Sequence, residues 1–172
     1  MKTCFLFPGQ GAQYPGMGKD LWDHSDSVKK LFATASSVTG IDLEDLLFCG
    51  SADDLQVTNR TQIAVTLVNL STARVLLEHG VEAHGYAGFS VGEYAALAAA
   101  GVISDEDLFR IVKARGELME RASRDADTKS GPAGMAAVVG ITSDAVIEVL
   151  STAGKGAYAA NFSSPKQVVI AG

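Results

Sequence analysis

Gly88-Phe89-Ser90-Val91-Gly92 places a hydroxyl between two glycines that allow a tight backbone turn. The preceding residues, His84-Gly85-Tyr86-Ala87, are small or apolar and strand-like. The following run, Glu93 to Ala100, is alanine-rich and strongly helix-forming. G-x-S-x-G between a strand and a helix describes a nucleophile elbow. Such a turn raises the serine at a helix N-terminus, where backbone N–H groups and the helix dipole face a developing oxyanion. Serine is also an ordinary helix N-cap. A cap accounts for the hydroxyl but leaves the paired glycines without a reason. Ser90 is therefore expected to be a nucleophile, with the Val91 N–H as one oxyanion donor.

A second donor is expected from Gln10, in the loop Gly9-Gln10-Gly11-Ala12-Gln13-Tyr14-Pro15-Gly16-Met17-Gly18. In a parallel sheet the first strand and the elbow strand end on the same side, where ligand sites form. The loop would then face Ser90; the plainer reading is a tight turn. A dinucleotide fingerprint beginning at Gly9 fails, because Tyr14 stands where the third glycine is required. Arg115 lies among apolar residues on a helical stretch. It could hold a substrate carboxylate bidentately, or lie at the surface paired with Glu117 or Glu120; the sequence leaves both open. No histidine suits the role of base. His84 precedes Ser90 by six residues of extended chain, roughly 20 Å. His24 lies in a polar segment, and His79 follows a long apolar helix.

The elements that must position these residues follow from periodicity. Thr3 to Phe7 reads as a buried strand carrying Cys4, stopped by Pro8-Gly9. Val28, Leu31, Phe32, Ala35 and Val38 mark one face of a helix ended by Gly40. A short helix spans Leu43 to Phe48, and Ser51 caps a turn through Leu55. From Thr61 to Glu78 the pattern is apolar on most sides, as in a buried helix. After the elbow helix, Ser104 and Asp107 form a capping-box-like start to a helix reaching about Ala122. The polar stretch from Ser123 to Pro132 is the best boundary in the chain. Beyond it, Met135 to Gly140, Ser143 to Ala153, Ala157 to Asn161 and Gln167 to Ala171 read as β-α-β-β, with a turn at Ser163-Ser164-Pro165. That order is the front of a split βαββαβ unit.

The chain has 172 residues, 47% hydrophobic, with a net charge of −6. The length suits one globular domain or slightly more, and the charge argues against a nucleic-acid footprint. Two cysteines, Cys4 and Cys49, suit reduced thiols in a cytoplasmic protein. No Cys/His spacing suggests a metal, no cofactor is expected, and no stretch approaches a membrane span.

Five segments in order then define a resemblance. They are Phe7 to Gln13, Thr61-Gln62, Gly88 to Tyr94, Ala114-Arg115-Gly116 and Asn161 to Gly172. The chain resembles the malonyl-CoA:acyl carrier protein transacylases along essentially its whole length. That resemblance implies an α/β-hydrolase-like large domain, here 1–128, and the start of a ferredoxin-like small domain, here 129–172. It implies that Ser90 becomes malonylated from malonyl-CoA and passes the group to the phosphopantetheine thiol of acyl carrier protein. Gln10 and the Val91 N–H would form the oxyanion hole. Arg115 would pair with the malonyl carboxylate, and Gln62 and Asn161 would line the site. The family has histidine where Phe89 stands, so contacts there are expected to differ. Family members run well beyond this length, and their catalytic histidine lies in that further part. The chain is accordingly expected to be an N-terminal portion, inactive alone and completed by a complementary chain. A serine esterase or thioesterase-like hydrolase and a non-catalytic subunit are the alternatives. Lys113, Arg121, Arg124 and Lys129 are possible contacts for an acidic carrier, or simply a solvated face.

Overall fold

The computed structural model describes residues 2–126, 133–153 and 156–172. The chain divides into two compact units, Met1–Glu120 and Arg121–Gly172. The boundary expected at 128/129, and Lys129, lie outside the described residues.

In the first unit, β1 (Cys4–Phe7) pairs in parallel with β2 (Gly85–Gly88), in register from Cys4 opposite Gly85 to Phe7 opposite Gly88. Both strands therefore end side by side, and the chain leaves each at the same edge. Between them come α1 (Lys19–His24), α2 (Asp26–Thr39), α3 (Leu43–Phe48), a 3-10 turn (Asp54–Gln56) and α4 (Thr58–Glu78). After β2 come α5 (Gly92–Ala99) and α6 (Asp105–Asp125).

The helix ends obey local chemistry. Ser25 Oγ accepts the Val28 N–H at the start of α2. Gly40, at φ 74°, closes that helix by donating to the Ser36 carbonyl, in the left-handed region that favours glycine. Asp42 caps α3 by accepting the Asp45 N–H. Ser104 Oγ accepts the Asp107 N–H and donates to its carboxylate.

The core follows the expected face of α2. Val28, Leu31, Phe32 and Ala35 are buried with Leu43, Leu47, Ile63, Leu67, Leu108, Phe109 and Val112. At ~25 cal/mol per Å² of apolar surface removed from water, this cluster is the principal source of stability. A smaller cluster joins Phe5 and Phe7 to Ala73, Ala95 and Ala96.

Three expectations need correction. Cys4 is exposed, because β1 buries only its Phe5 and Phe7 face while Leu6 is 74% exposed on the other. Helix α4 is buried on all sides only through its first half; Leu76 and Leu77, near its end, are exposed. It also begins at Thr58, where the Val57 carbonyl accepts the Thr61 N–H at 2.9 Å as the first helical hydrogen bond; the buried Thr61 hydroxyl donates to the Leu55 and Val57 carbonyls.

In the second unit, β3 (Met135–Val139), β4 (Tyr158–Ser164) and β5 (Gln167–Ala171) form an antiparallel sheet in the order β3-β5-β4. Helix α7 (Ser143–Thr152) connects β3 to β4 and packs on the sheet through Val146. With β5 between them, β3 and β4 form a split β-α-β. Strand β4 runs past Asn161 to Ser164 through irregular pairing at Ala159/Asn161 and Phe162/Ser164. Its turn falls at Pro165-Lys166 rather than at the expected Ser163-Ser164-Pro165. No helix among the described residues is long and apolar enough to cross a membrane.

Candidate active site

Steric exclusion builds the elbow. A Cβ on Gly88 would lie 2.2 Å from the Gly92 carbonyl carbon and oxygen. One on Gly92 would lie 2.2 Å from the Phe7 carbonyl oxygen. Strand β2, the turn and α5 therefore fold against β1 only with glycine at both places. Ser90 has φ 53°, the only positive φ at a non-glycine among the described residues. Such a conformation costs ~1–3 kcal/mol and persists only where its surroundings impose it. Here they do: the Phe89 N–H donates to the Phe7 carbonyl at 3.0 Å, and the Gly92 N–H to the Phe89 carbonyl at 2.9 Å.

The N-cap position of α5 falls at Val91, and the Ser90 hydroxyl caps no helix N–H. That hydroxyl instead accepts from Arg115 Nη2 at 3.2 Å. Arg115 Nη1 donates to Gln62 Oε1. The guanidinium carbon lies 5.7 Å from the centre of the Tyr94 ring, a cation–π distance. Neither Glu117 nor Glu120 pairs with it, and Arg115 forms no ion pair among the described residues. Its helix is placed by Gly116, where a Cβ would lie 2.8 Å from the Asn59 Cα. That close crossing sets α6 against the start of α4, where Gln62 lies.

Gln62 is 0% exposed. Its Oε1 accepts from the guanidinium, and its Nε2 lies 3.4 Å from Met119 Sδ. The Gln10 loop reaches the elbow from β1. A Cβ on Gly9 would lie 2.8 Å from the Phe89 carbonyl oxygen and 3.4 Å from Ser90 Cβ. Gln10 itself is exposed, next to a turn in which the Gly11 N–H donates to Gln13 Oε1 at 2.8 Å. Neither the Gln10 nor the Val91 N–H is given to a hydrogen bond among the described residues. Phe89 is 55% exposed and lines an apolar hollow of about 440 Å³ with Leu6, Phe7, Pro8, Ala87 and Gly88.

Asn161 lies on β4 in the second unit, exposed and opposite Val169. Ser90, Val91, Gln10, Arg115 and Gln62 all belong to the first unit. The three histidines occupy the far end of that unit. His84 Nδ1 accepts the Thr3 N–H at the start of β1. His79 Nδ1 meets the Val75 carbonyl at the end of α4. His24 Nδ1 meets the Asp20 carbonyl, and its neighbour Ser25 donates to Glu78. Glu78 stands 16 residues along α4 from Gln62, about 24 Å at the helical rise. No group of three potential metal ligands occurs among the described residues.

Tyr94 and Met119 were not singled out by sequence as site residues. For Met119 the signal was spacing: it stands four residues after Arg115 on α6, so the two share a helix face.

Fold and site together define an α/β protein, with a parallel pair of strands and a small antiparallel sheet, that presents a serine on a strand–turn–helix elbow beneath a guanidinium. Residues 4–172 match the acyl transferase domain family, and the chain belongs to it. It is 36% identical over 99% of its length to the malonyl CoA-acyl carrier protein transacylase of Bacillus subtilis (strain 168), covering 53% of that protein. Identity to the enzyme of the same name from Escherichia coli (strain K12) is 39% over 98% of the chain and 54% of the relative. The crystal structure of an acyl carrier protein S-malonyltransferase from Vibrio cholerae superposes with a TM-score of 0.87 at 39% identity, over 100% of this chain and 56% of that one. A malonyl-transacylase in complex with a type II PKS acyl-carrier protein gives 0.88 at 35% identity, over 100% and 55%. The chain spans about half the length of the curated relatives it matches.

Proposed function

We propose that this chain carries the nucleophile and the acyl-recognition half of a malonyl-CoA:acyl carrier protein transacylase. Ser90 Oγ attacks the thioester carbonyl, the N–H groups of Gln10 and Val91 receive the oxyanion, and coenzyme A leaves as the thiol. The malonyl-serine ester is then attacked by the phosphopantetheine thiol of acyl carrier protein, which takes the malonyl group and restores the hydroxyl. No cofactor enters; the coenzyme A thioester is the substrate. The one observation that carries this reading is the Arg115–Ser90 contact. The malonyl carboxylate carbon lies three bonds beyond Oγ, on the order of 4 Å away. A guanidinium 3.2 Å from that oxygen meets the carboxylate after only a small side-chain shift, with Gln62 fixing its other nitrogen. Acetyl offers it nothing to bind.

The same reading makes the first unit part of an α/β-hydrolase-like large domain and the split β-α-β, with Asn161 on β4, part of a ferredoxin-like small domain. The free thiols Cys4 and Cys49 suit a cytoplasmic setting. The base comes from outside these three histidines, because a serine hydroxyl without one is a weak nucleophile. Labelling of this chain by malonyl-CoA alone is therefore expected to be slow.

Intact mass after incubation with malonyl-CoA tests the reading. The expected result is an adduct on Ser90, lost in Ser90→Ala and transferred when a phosphopantetheinylated carrier protein is added. Free malonate with no transfer to thiol would instead make the chain a hydrolase.

A further inference from the structure

Asn69 lies on α4, half-buried, far in sequence from the loop that carries Gln10. Its Nδ2 donates to the Pro8 carbonyl at 2.9 Å. The carbonyl just before, that of Phe7, accepts the Phe89 N–H of the elbow at 3.0 Å. Two consecutive peptide groups at the end of β1 are thus held from opposite sides, one by the elbow and one by α4. The Pro8 oxygen also sits 2.7 Å from where a Gly92 Cβ would be. Asn69 supplies that oxygen's hydrogen bond from α4. The far end of the loop rests on the neighbouring residue of α4: a Cβ on Gly18 would lie 3.0 Å from Val68 Cγ2. The loop is closed in between by the Gly16 N–H donating to the Leu47 carbonyl at 2.6 Å.

We infer that Asn69 is a positioning residue for the oxyanion hole: by holding the Pro8 carbonyl it fixes the Pro8–Gly9 peptide plane, the anchor from which the next peptide unit presents the Gln10 N–H to the Ser90 side of the loop. This rests on the proposed roles of Gln10 and Ser90. The hydrogen bond needs a donor at position 69, because its partner is a carbonyl. Asn69→Asp keeps the shape and loses that donor, whereas Asn69→Gln retains a donor on a longer arm.

Two measurements on the full chain separate this inference from the functional reading beneath it. The first is hydrogen–deuterium exchange of the peptides covering Gly9–Gly18, which needs no activity. Asn69→Asp is expected to raise exchange there several-fold, with α2 and α5 unchanged and Asn69→Gln close to wild type. Unaltered exchange in Asn69→Asp, or a rise spread over the whole first unit, would overturn the positioning role. The second is the rate of malonyl loading onto Ser90. Removing one oxyanion donor costs about 10²–10³ in rate, so misaiming it is expected to lower the maximal rate about tenfold or more. The concentration of malonyl-CoA giving half-saturation should stay constant, and Asn69→Gln should recover much of the loss. A weakened half-saturation with the maximal rate intact would also overturn the inference. If wild type loads no malonyl group, the functional reading falls and the exchange result alone decides the role of Asn69 in the loop.

Discussion

Arg115 illustrates how much one side chain depends on its supports. A half-buried guanidinium needs its donors met, and Gln62, Tyr94 and the Ser90 hydroxyl meet them without a carboxylate. An anionic ligand therefore arrives at a cation that no acidic side chain neutralises directly. Arg115→Ala is expected to reduce malonyl transfer at least tenfold while leaving acetyl transfer nearly unchanged, read as kcat/KM for the two thioesters. Arg115→Lys should recover little, because an ammonium lacks the planar fork that spans Gln62 and the acyl carboxylate together. Equal losses for both acyl groups would remove Arg115 from the carboxylate role.

The elements show where local rules suffice and where close approach takes over. At the elbow, Gly92→Ala drives a Cβ into the Phe7 carbonyl. A clash with backbone forces β1 and α5 apart, so a loss of more than ~2 kcal/mol is expected in urea denaturation. At the start of α6 the chemistry is local. The Asp107 carboxyl is held below its ordinary value, first by the Ser104 hydroxyl and then by Arg110. A depressed carboxylate contributes stability above the ordinary carboxylate range and loses it as pH falls through the folded value. Ser104→Ala is expected to remove ~1 kcal/mol of capping at neutral pH. It should also flatten the fall in stability below about pH 4, measured by thermal melts across an acid series. An unchanged acid limb in Ser104→Ala would separate Asp107 from acid stability.

Across the molecule, the parallel pair stands out. Strands β1 and β2 pair only with each other among the described residues, and Leu6 and Phe89 expose apolar surface beside their open edges. Unpaired strand edges with apolar neighbours promote association. Leu6→Glu is expected to reduce self-association of this chain, read by sedimentation velocity, without lowering its melting temperature, since the inward Phe5 and Phe7 are untouched. No change in sedimentation would show that this face does not mediate association.

Periodicity and end chemistry were enough to define α2 with Gly40, the short helix α3, the Ser104 start of α6 and the β-α-β-β order, because each is decided within a few residues along the chain. The five motifs also carried the family, and in this chain the glycines at 88, 92 and 116 within them are demanded by close backbone contacts. What sequence left open was decided by partners distant in the chain. Arg115 had two equal readings until Gln62 and Ser90, 53 and 25 residues away, claimed its nitrogens. Cys4 and Leu6 read as buried because a strand's composition does not say how many of its faces are covered. Asn69 had no signal at all, for its hydrogen bond reaches a loop 61 residues earlier. Local propensity acts over one helical turn; the aim of a side chain across the fold is set only when separate elements pack.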